Sequence, residues 1–220
     1  MLPSKSSACV LLSGGLDSAA LFYYYLKHAS SVQPVYVRCG LRWEEAELYW
    51  LRCFLKAASS KNTHSLRVVF LPMRQLYGKH WSLTGKAVPG PRSRDSAVYL
   101  PGRNLFLLSA AAVICAEKKL RRIGLGILKA NPFGDATPRF FKSLSRTLTY
   151  ALNTTILIEA PFREKGKAEL IRQASGMPLG LTFSCLNPQT GFAHCGRCNK
   201  CAERRRAFRL AGIADPTRYA

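Results

Sequence analysis

The feature that most limits the possible folds is a six-residue string, Ser13-Gly14-Gly15-Leu16-Asp17-Ser18. It lies between the apolar runs Ala8-Cys9-Val10-Leu11-Leu12 and Ala19-Ala20-Leu21-Phe22-Tyr23. A short apolar run that breaks at two glycines and then resumes reads as a buried strand turning into a helix. The glycines let the backbone approach an anion with no side chain in the way. The helix start adds unpaired N–H groups at the positive end of its dipole. The string predicts a phosphate-binding turn; the simpler alternative is an ordinary strand-turn-helix capped by Asp17 or Ser18. It is not of the Walker type, because no Gly-Lys-Ser/Thr follows.

Ser-Gly-Gly-x-Asp-Ser in this setting resembles the PP-loop of the ATP pyrophosphatases, enzymes that cut ATP between its α- and β-phosphates. On that resemblance Ser13, Gly14, Gly15, Leu16, Asp17 and Ser18 bind ATP. A carboxylate at Asp17 would repel a triphosphate unless a divalent cation sat between them, so the loop also implies Mg2+.

The rest of the chain alternates strand and helix patterns. Pro34-Val35-Tyr36-Val37 reads as a second buried strand, 43–58 as a helix, and Leu66-Arg67-Val68-Val69-Phe70-Leu71 as a third strand stopped by Pro72. A strongly apolar helix opens at Leu100-Pro101-Gly102-Arg103-Asn104. A fourth strand follows at 122–127, a helix at 140–152 and a fifth strand at Thr155-Ile156-Leu157-Ile158. This predicts an α/β fold: a Rossmann-like parallel five-stranded sheet flanked by helices, with ligands at the carboxyl ends of the strands. Between the third strand and the apolar helix, residues 72–102 lose all periodicity. A loop of that length reads as a mobile lid over the ATP site or as a disordered segment. Arg103 and Asn104, at a helix start, are placed to reach an anion, with a plain N-cap by Asn104 as the alternative. The turn after the fourth strand, 129–138, is a substrate-holding position.

Charge sets the chain apart from an ordinary nucleotide-binding domain. Its 220 residues hold 33 Lys plus Arg against 12 Asp plus Glu, a formal +21. ATP needs only a few cations, so the excess suggests a polyanionic partner such as tRNA or DNA. A solvated basic surface is the bland counterpart. No stretch is long and apolar enough for a membrane span, the opening Met1-Leu2-Pro3-Ser4-Lys5 included, and the expectation is a cytoplasmic protein.

The eight cysteines divide in two. Cys9, Cys39, Cys53 and Cys115 sit in apolar contexts and read as ordinary buried thiols. Cys185, Cys195, Cys198 and Cys201 crowd into seventeen residues, which suits a metal site in a reducing compartment. Four thiolates fill a tetrahedral Zn2+ and leave no open position, so its role is structural. An iron–sulfur cluster is the competing occupant, and four free thiols a further one. His194 adjoins Cys195 and is taken as a bystander. The chain thus divides into an ATP-binding α/β domain over 1–178 and a zinc-binding helical segment over 179–220.

In one order along the chain stand the PP-loop, Pro101-Gly102-Arg103-Asn104, Lys167-Ala168-Glu169, Thr182-Phe183-Ser184-Cys185 and Cys195-Gly196-Arg197-Cys198-Asn199-Lys200-Cys201. Asp215-Pro216-Thr217 and Tyr219 close it. That combination resembles the 7-cyano-7-deazaguanine synthase family over nearly the whole chain. The resemblance implies an ATP-dependent C–N ligase of queuosine biosynthesis that turns 7-carboxy-7-deazaguanine and free ammonia into the nitrile. It also implies a homodimer. ATP would adenylate the carboxylate, ammonia would displace AMP to give an amide, and a second adenylation would drive loss of the oxygen. Asp17, Ser18, Arg103 and Lys129 are then the candidate catalytic residues, and Val37, Arg103 and Asn104 join the PP-loop as nucleotide contacts.

The chain departs from the family pattern after the fourth strand. There Lys129 and Asn131 stand where acids are expected to grip the amino-pyrimidinone edge of the base, and only Asp135 remains. It departs again after the second strand, at Arg38-Cys39-Gly40-Leu41-Arg42-Trp43. Two other readings accompany the first. One keeps the adenylating chemistry but modifies a nucleic acid base or joins a deazaguanine-type acid to a protein amine; the other is a non-catalytic ATP-binding module.

Overall fold

Five strands lie in the order β3-β2-β1-β4-β5, every neighbouring pair parallel: β1 (Ala8–Leu11), β2 (Val32–Arg38), β3 (Arg67–Phe70), β4 (Arg122–Gly124) and β5 (Leu157–Glu159). The computed structural model describes residues 6–58 and 60–220; the reading of Met1-Leu2-Pro3-Ser4-Lys5 lies outside them. The expected α/β class and five-stranded parallel sheet are what the chain forms.

Strand composition follows position in the sheet. β1 is central, and all four of its residues are buried, as an unbroken apolar run requires when both faces are covered. β3 is an edge, and Arg67, Val68 and Phe70 are exposed. β4 stops at Gly124, short of the predicted 127; position 124 has no room for a side chain, since a Cβ there would lie 2.3 Å from the Tyr25 ring. β5 starts two residues later than predicted, since Ile156 N–H is taken by Thr149 Oγ1 in the preceding helix.

Helices cover both faces. On one side lie α1 (Leu16–His28) and α2 (Glu44–Ala58), burying Phe22, Tyr25, Leu51 and Phe54 against β1 and β2. On the other, α5 (Arg103–Glu117) and α6 (Pro138–Leu152) bury Leu108, Ala112, Phe141 and Leu144. α6 begins at Pro138, capped by Thr137 Oγ1, which accepts from Phe140 N–H at 3.2 Å. A third apolar cluster, with Leu16, Ile171 and Phe208, ties α7 (Lys167–Gln173) and α8 (Asn199–Ala211) to the start of α1.

Residues 72–102 carry two short helices, α3 (Arg74–Tyr77) and α4 (Trp81–Thr84), and a 3-10 turn at Asp95–Val98. Met73, Ser82 and Leu100 are buried, and Trp81 stacks on Trp43 with ring centroids 5.7 Å apart. Of the four cysteines read as buried thiols, Cys9, Cys39 and Cys115 are buried, while Cys53 is half-buried. No helix among the described residues is long and apolar enough to cross a membrane.

Candidate active site

The sheet changes winding direction between β1 and β4, and a cleft opens at the carboxyl ends of these two strands. Its volume is about 290 Å3. The turn from β1 into α1 forms its floor. Gly14 takes φ +80°, and a Cβ there would lie 3.3 Å from Glu47 O and from Leu51 Cβ, so α2 can pack against the turn only where Gly14 stands. The Gly14 carbonyl accepts from Phe183 N–H at 2.8 Å, which ties the turn to the chain leading into the cysteine cluster.

Gly15 is the N-cap of α1 and makes no side-chain cap bond. Ser18 Oγ instead donates to Gly15 O at 3.0 Å, and Ser13 Oγ accepts from Gly15 N–H at 3.3 Å. The capped strand-turn-helix is therefore not what the chain builds, and the helix start faces the cleft without a side-chain cap. A Cβ on Gly126, just past β4, would lie 3.1 Å from the Asp17 carbonyl carbon; this close approach lets β4 border the turn.

Asp17 sits at the meeting point of three helices. Lys167 Nζ, from the start of α7, lies 3.4 Å from Asp17 Oδ2, and also pairs with Glu203 of α8; Lys200 Nζ lies 2.6 Å from Glu203. Asp17 Oδ1 is buried and has no hydrogen-bond partner among the described residues. Burial pushes the Asp17 carboxyl up, against the pull of Lys167. Burial would also raise Glu203, but the Lys167 and Lys200 ammonium groups outweigh it and hold its carboxyl down to about 2. Lys167 is driven up in turn by Asp17 and Glu203, in spite of its own burial. A partnerless carboxylate oxygen beside two ammonium groups is a donor set that fits a divalent cation with phosphate.

The opposite wall comes from β2, α2 and α5. Arg103 lines the cleft with a buried Nε that has no partner among the described residues. Asn104 does not cap α5; Gly102 holds that position. Asn104 instead binds the turn after β4, its N–H donating to Asp135 Oδ2 at 2.9 Å and its Nδ2 to Asp135 O at 3.1 Å. Asp135 is thereby committed to holding the start of α5. Burial pushes the Glu47 carboxyl up to about 7, with Arg103 pulling the other way, and Tyr36 Oη donates to its Oε2 at 2.7 Å.

Of the residues read from the sequence, Ser13, Gly15, Leu16, Asp17, Ser18, Val37, Arg103 and Asn104 line this cleft. Gly14 shapes the turn from beneath. Lys129 is not brought in: it is exposed, its N–H bonded to Lys165 O at 3.1 Å, and it lies outside the cleft lining. Sequence reasoning gave no role to Glu47, Lys167, Lys200 or Glu203, although Lys167 and Lys200 stand inside motifs that it quoted.

Cys185, Cys195, Cys198 and Cys201 are all buried, and their sulfurs lie within 4.8 Å of one another. Tetrahedral Zn–S bonds of about 2.3 Å need sulfurs somewhat under 4 Å apart. Cys185 and Cys198 sulfurs are 3.9 Å apart and Cys195 and Cys201 sulfurs 4.0 Å. Backbone N–H groups already point at them: Cys195 and Asn187 donate to Cys185 Sγ at 3.2 and 3.3 Å, and Leu186 to Cys198 Sγ at 3.4 Å. Such bonds stabilise thiolate and are the usual outer shell of a metal–thiolate site. His194 keeps to its bystander place, its Nε2 accepting from Ser184 N–H at 3.2 Å, and burial lowers its pKa to about 4. The cluster borders the cleft, since Phe183, Ser184 and Cys185 line it on one side of the sulfurs and Lys200 and Glu203 on the other.

Comparison with known proteins places these features in context. The family model described as queuosine biosynthesis protein QueC matches residues 7–212. The chain is 30% identical over 211 residues to 7-cyano-7-deazaguanine synthase 1 of Desulfitobacterium hafniense (strain Y51), covering 94% of this chain and 93% of that protein. It is 31% identical over 230 residues to the 7-cyano-7-deazaguanine synthase of Myxococcus xanthus (strain DK1622), covering 96% of each. It is 27% identical over 232 residues to the synthase of Methanocaldococcus jannaschii, covering 96% and 98%.

Proposed function

The chain belongs to the family of queuosine biosynthesis protein QueC, ATP-dependent C–N ligases that convert 7-carboxy-7-deazaguanine to 7-cyano-7-deazaguanine, and we propose how its cleft performs that conversion. The observation that carries the proposal is the partnerless Oδ1 of Asp17, set beside the uncapped start of α1 and a lysine pair. Ser13, Gly15 and Ser18 hold the phosphates of ATP. Asp17 holds Mg2+, which screens the phosphate charge when bound. Val37 and Leu16 supply apolar contacts for the nucleotide.

A carboxylate is a poor electrophile because its leaving group would be oxide. In the first step the substrate carboxylate attacks the α-phosphorus of ATP and pyrophosphate leaves. Ammonia then adds to the acyl carbon and AMP departs, giving the amide. A second attack by the amide oxygen on ATP, followed by loss of AMP and protons, leaves the nitrile. In each adenylation, negative charge builds on the departing pyrophosphate. Lys167 and Lys200 are the cations placed to receive it, and Arg103 offers its unused Nε–H to the acyl phosphate. All three are fixed before substrate arrives, Lys167 and Lys200 by Glu203 and the start of α5 by Asp135.

Cys185, Cys195, Cys198 and Cys201 hold Zn2+ as a closed structural centre that fixes the start of α8, and with it Lys200 and Glu203. Free ammonia is the nitrogen donor. The working form is a cytoplasmic homodimer. A polyanionic partner remains the reading for the +21 charge, although Arg204 is not available to it, being buried with its Nη1 on Thr182 and its Nη2 on the Leu179 carbonyl. Binding to tRNA that weakens steeply with added salt is the test of that partner.

The site assignment is tested by exchange of labelled pyrophosphate into ATP in the presence of 7-carboxy-7-deazaguanine. Asp17→Ala and Lys167→Met lose the exchange, whereas Lys129→Ala retains it. Loss of exchange in Lys129→Ala to the same degree would overturn the assignment of the phosphate contacts to α7 and α8.

A further inference from the structure

α2 opens with three acids, and the fold accounts for two of them. Glu44 is buried, its carboxylate accepting from Cys39 N–H at 2.5 Å and Gly40 N–H at 3.1 Å. Glu45 pairs with Arg38 at the surface. Glu47 is 8% exposed and lines the cleft. Among the described residues its carboxylate has one hydrogen bond, from the neutral Tyr36 phenol, and no cation within ion-pair distance. The Trp43 indole and the Arg103 guanidinium lie nearby and favour its charged form without outweighing its burial. Burying a carboxylate so poorly satisfied is costly. When such a group lies in a cleft and its proton affinity is shifted by burial, a ligand-binding role is the natural explanation.

The substrate carries what is missing. 7-Carboxy-7-deazaguanine presents N1–H and a 2-amino group side by side, two donors that match the two oxygens of one carboxylate. Adenine offers a donor beside an acceptor and fits less well. The acid of the turn after β4 also lines the cleft but is already engaged. Asp135 is bound by Asn104, Asn131 Oδ1 accepts from Phe133 N–H at 3.0 Å, and Lys129 is exposed.

We propose that Glu47, steadied by Tyr36, determines specificity in this cleft by receiving the N1–H and 2-amino group of the deazaguanine ring. This rests on the assignment of the cleft as the ligase site, and wild-type turnover of 7-carboxy-7-deazaguanine tests that assignment by itself.

The experiment measures kcat/KM of the full chain, wild type and Glu47→Gln, on 7-carboxy-7-deazaguanine and on the same acid lacking the 2-amino group. The KM for ATP is measured alongside. A site built to bond a substrate N–H rejects the analogue without it by large factors, so the wild type should prefer the guanine-type acid by about 10²-fold or more. Glu47→Gln should bring that preference below about tenfold by losing activity on the guanine-type acid, with the KM for ATP within about threefold of wild type; Tyr36→Phe should move the preference the same way by less. Three results would overturn the inference: a wild type indifferent to the 2-amino group, a Glu47→Gln protein that keeps the full preference, or a loss confined to ATP affinity. The first needs no variant and so decides the matter even if Glu47→Gln does not fold. A wild type that turns over neither acid sinks the ligase assignment and this inference together.

Discussion

Replacing Glu203 by Gln removes the anion that Lys167 and Lys200 share and leaves two ammonium groups facing each other next to the PP-loop. The Glu203 side chain is 19% exposed, so solvent screens it little. Its carboxyl is held at about 2 against an ordinary 4.5. At 1.36 kcal/mol per pH unit, a depression of about 2.5 units corresponds to about 3 kcal/mol of folding stability at neutral pH. Truncating one partner of a buried ion pair costs about 3–5 kcal/mol, a range the partial exposure places at its lower end. Because the folded-state value is depressed, the contribution is complete above pH 4.5 and drains away as pH falls through about 2. Urea unfolding of wild type and Glu203→Gln should therefore differ by about 3 kcal/mol at pH 7 and by about half of that at pH 3. A difference under about 1 kcal/mol at pH 7, or one that does not shrink on acidification, would refute the view that this carboxylate organises the lysine pair.

Three further outcomes follow from the geometry. Gly126→Ala places a methyl group 3.1 Å from the Asp17 backbone; it should cost about 1–3 kcal/mol by overpacking and raise the KM for ATP, read by thermal unfolding and steady-state kinetics. Stripping metal with a chelator, or Cys198→Ser, should release α8 and abolish pyrophosphate exchange while the far-ultraviolet signal of the sheet domain persists; adding Zn2+ back restores the stripped protein. Asp135→Ala frees the Asn104 N–H and should cost about 1–3 kcal/mol, with kcat falling because Arg103 immediately precedes Asn104 and shifts with it at the start of α5.

How far the site can be read from the chain depends on how local each part is. The turn at Ser13 to Ser18 is contiguous, and its glycines and flanking runs announce both its shape and its ligand. The cysteine cluster is nearly as local, with three of its four ligands inside seven residues. Lys167 reaches Asp17, and Glu203 and Lys200 reach Lys167 in a chain of ion pairs, only because α7 and α8 pack against the start of α1. No periodicity in those helices marks that contact, though their quoted motifs hold the two lysines. Glu47 was hidden for a different reason: it is one of three acids in the opening turns of α2, where acids are expected for the helix dipole alone. Only the bonds of Glu44 and Glu45 to other partners set it apart. Lys129 illustrates the opposite error. Its place just after β4 suggested the site, but its own side chain is exposed, and from this stretch Gly126, Ile127, Asn131, Phe133 and Asp135 line the cleft. Asn104 reads as a cap in sequence because it opens a helix, yet Gly102 takes that position and frees Asn104 to hold Asp135.

The most direct measurement is product analysis by mass spectrometry of the purified chain with Mg2+, ATP, 7-carboxy-7-deazaguanine and ammonium, beside an Asp17→Ala control. The account predicts 7-cyano-7-deazaguanine with AMP and pyrophosphate from the wild type and none from the control. AMP release without nitrile, or nitrile formed equally by Asp17→Ala, would contradict it.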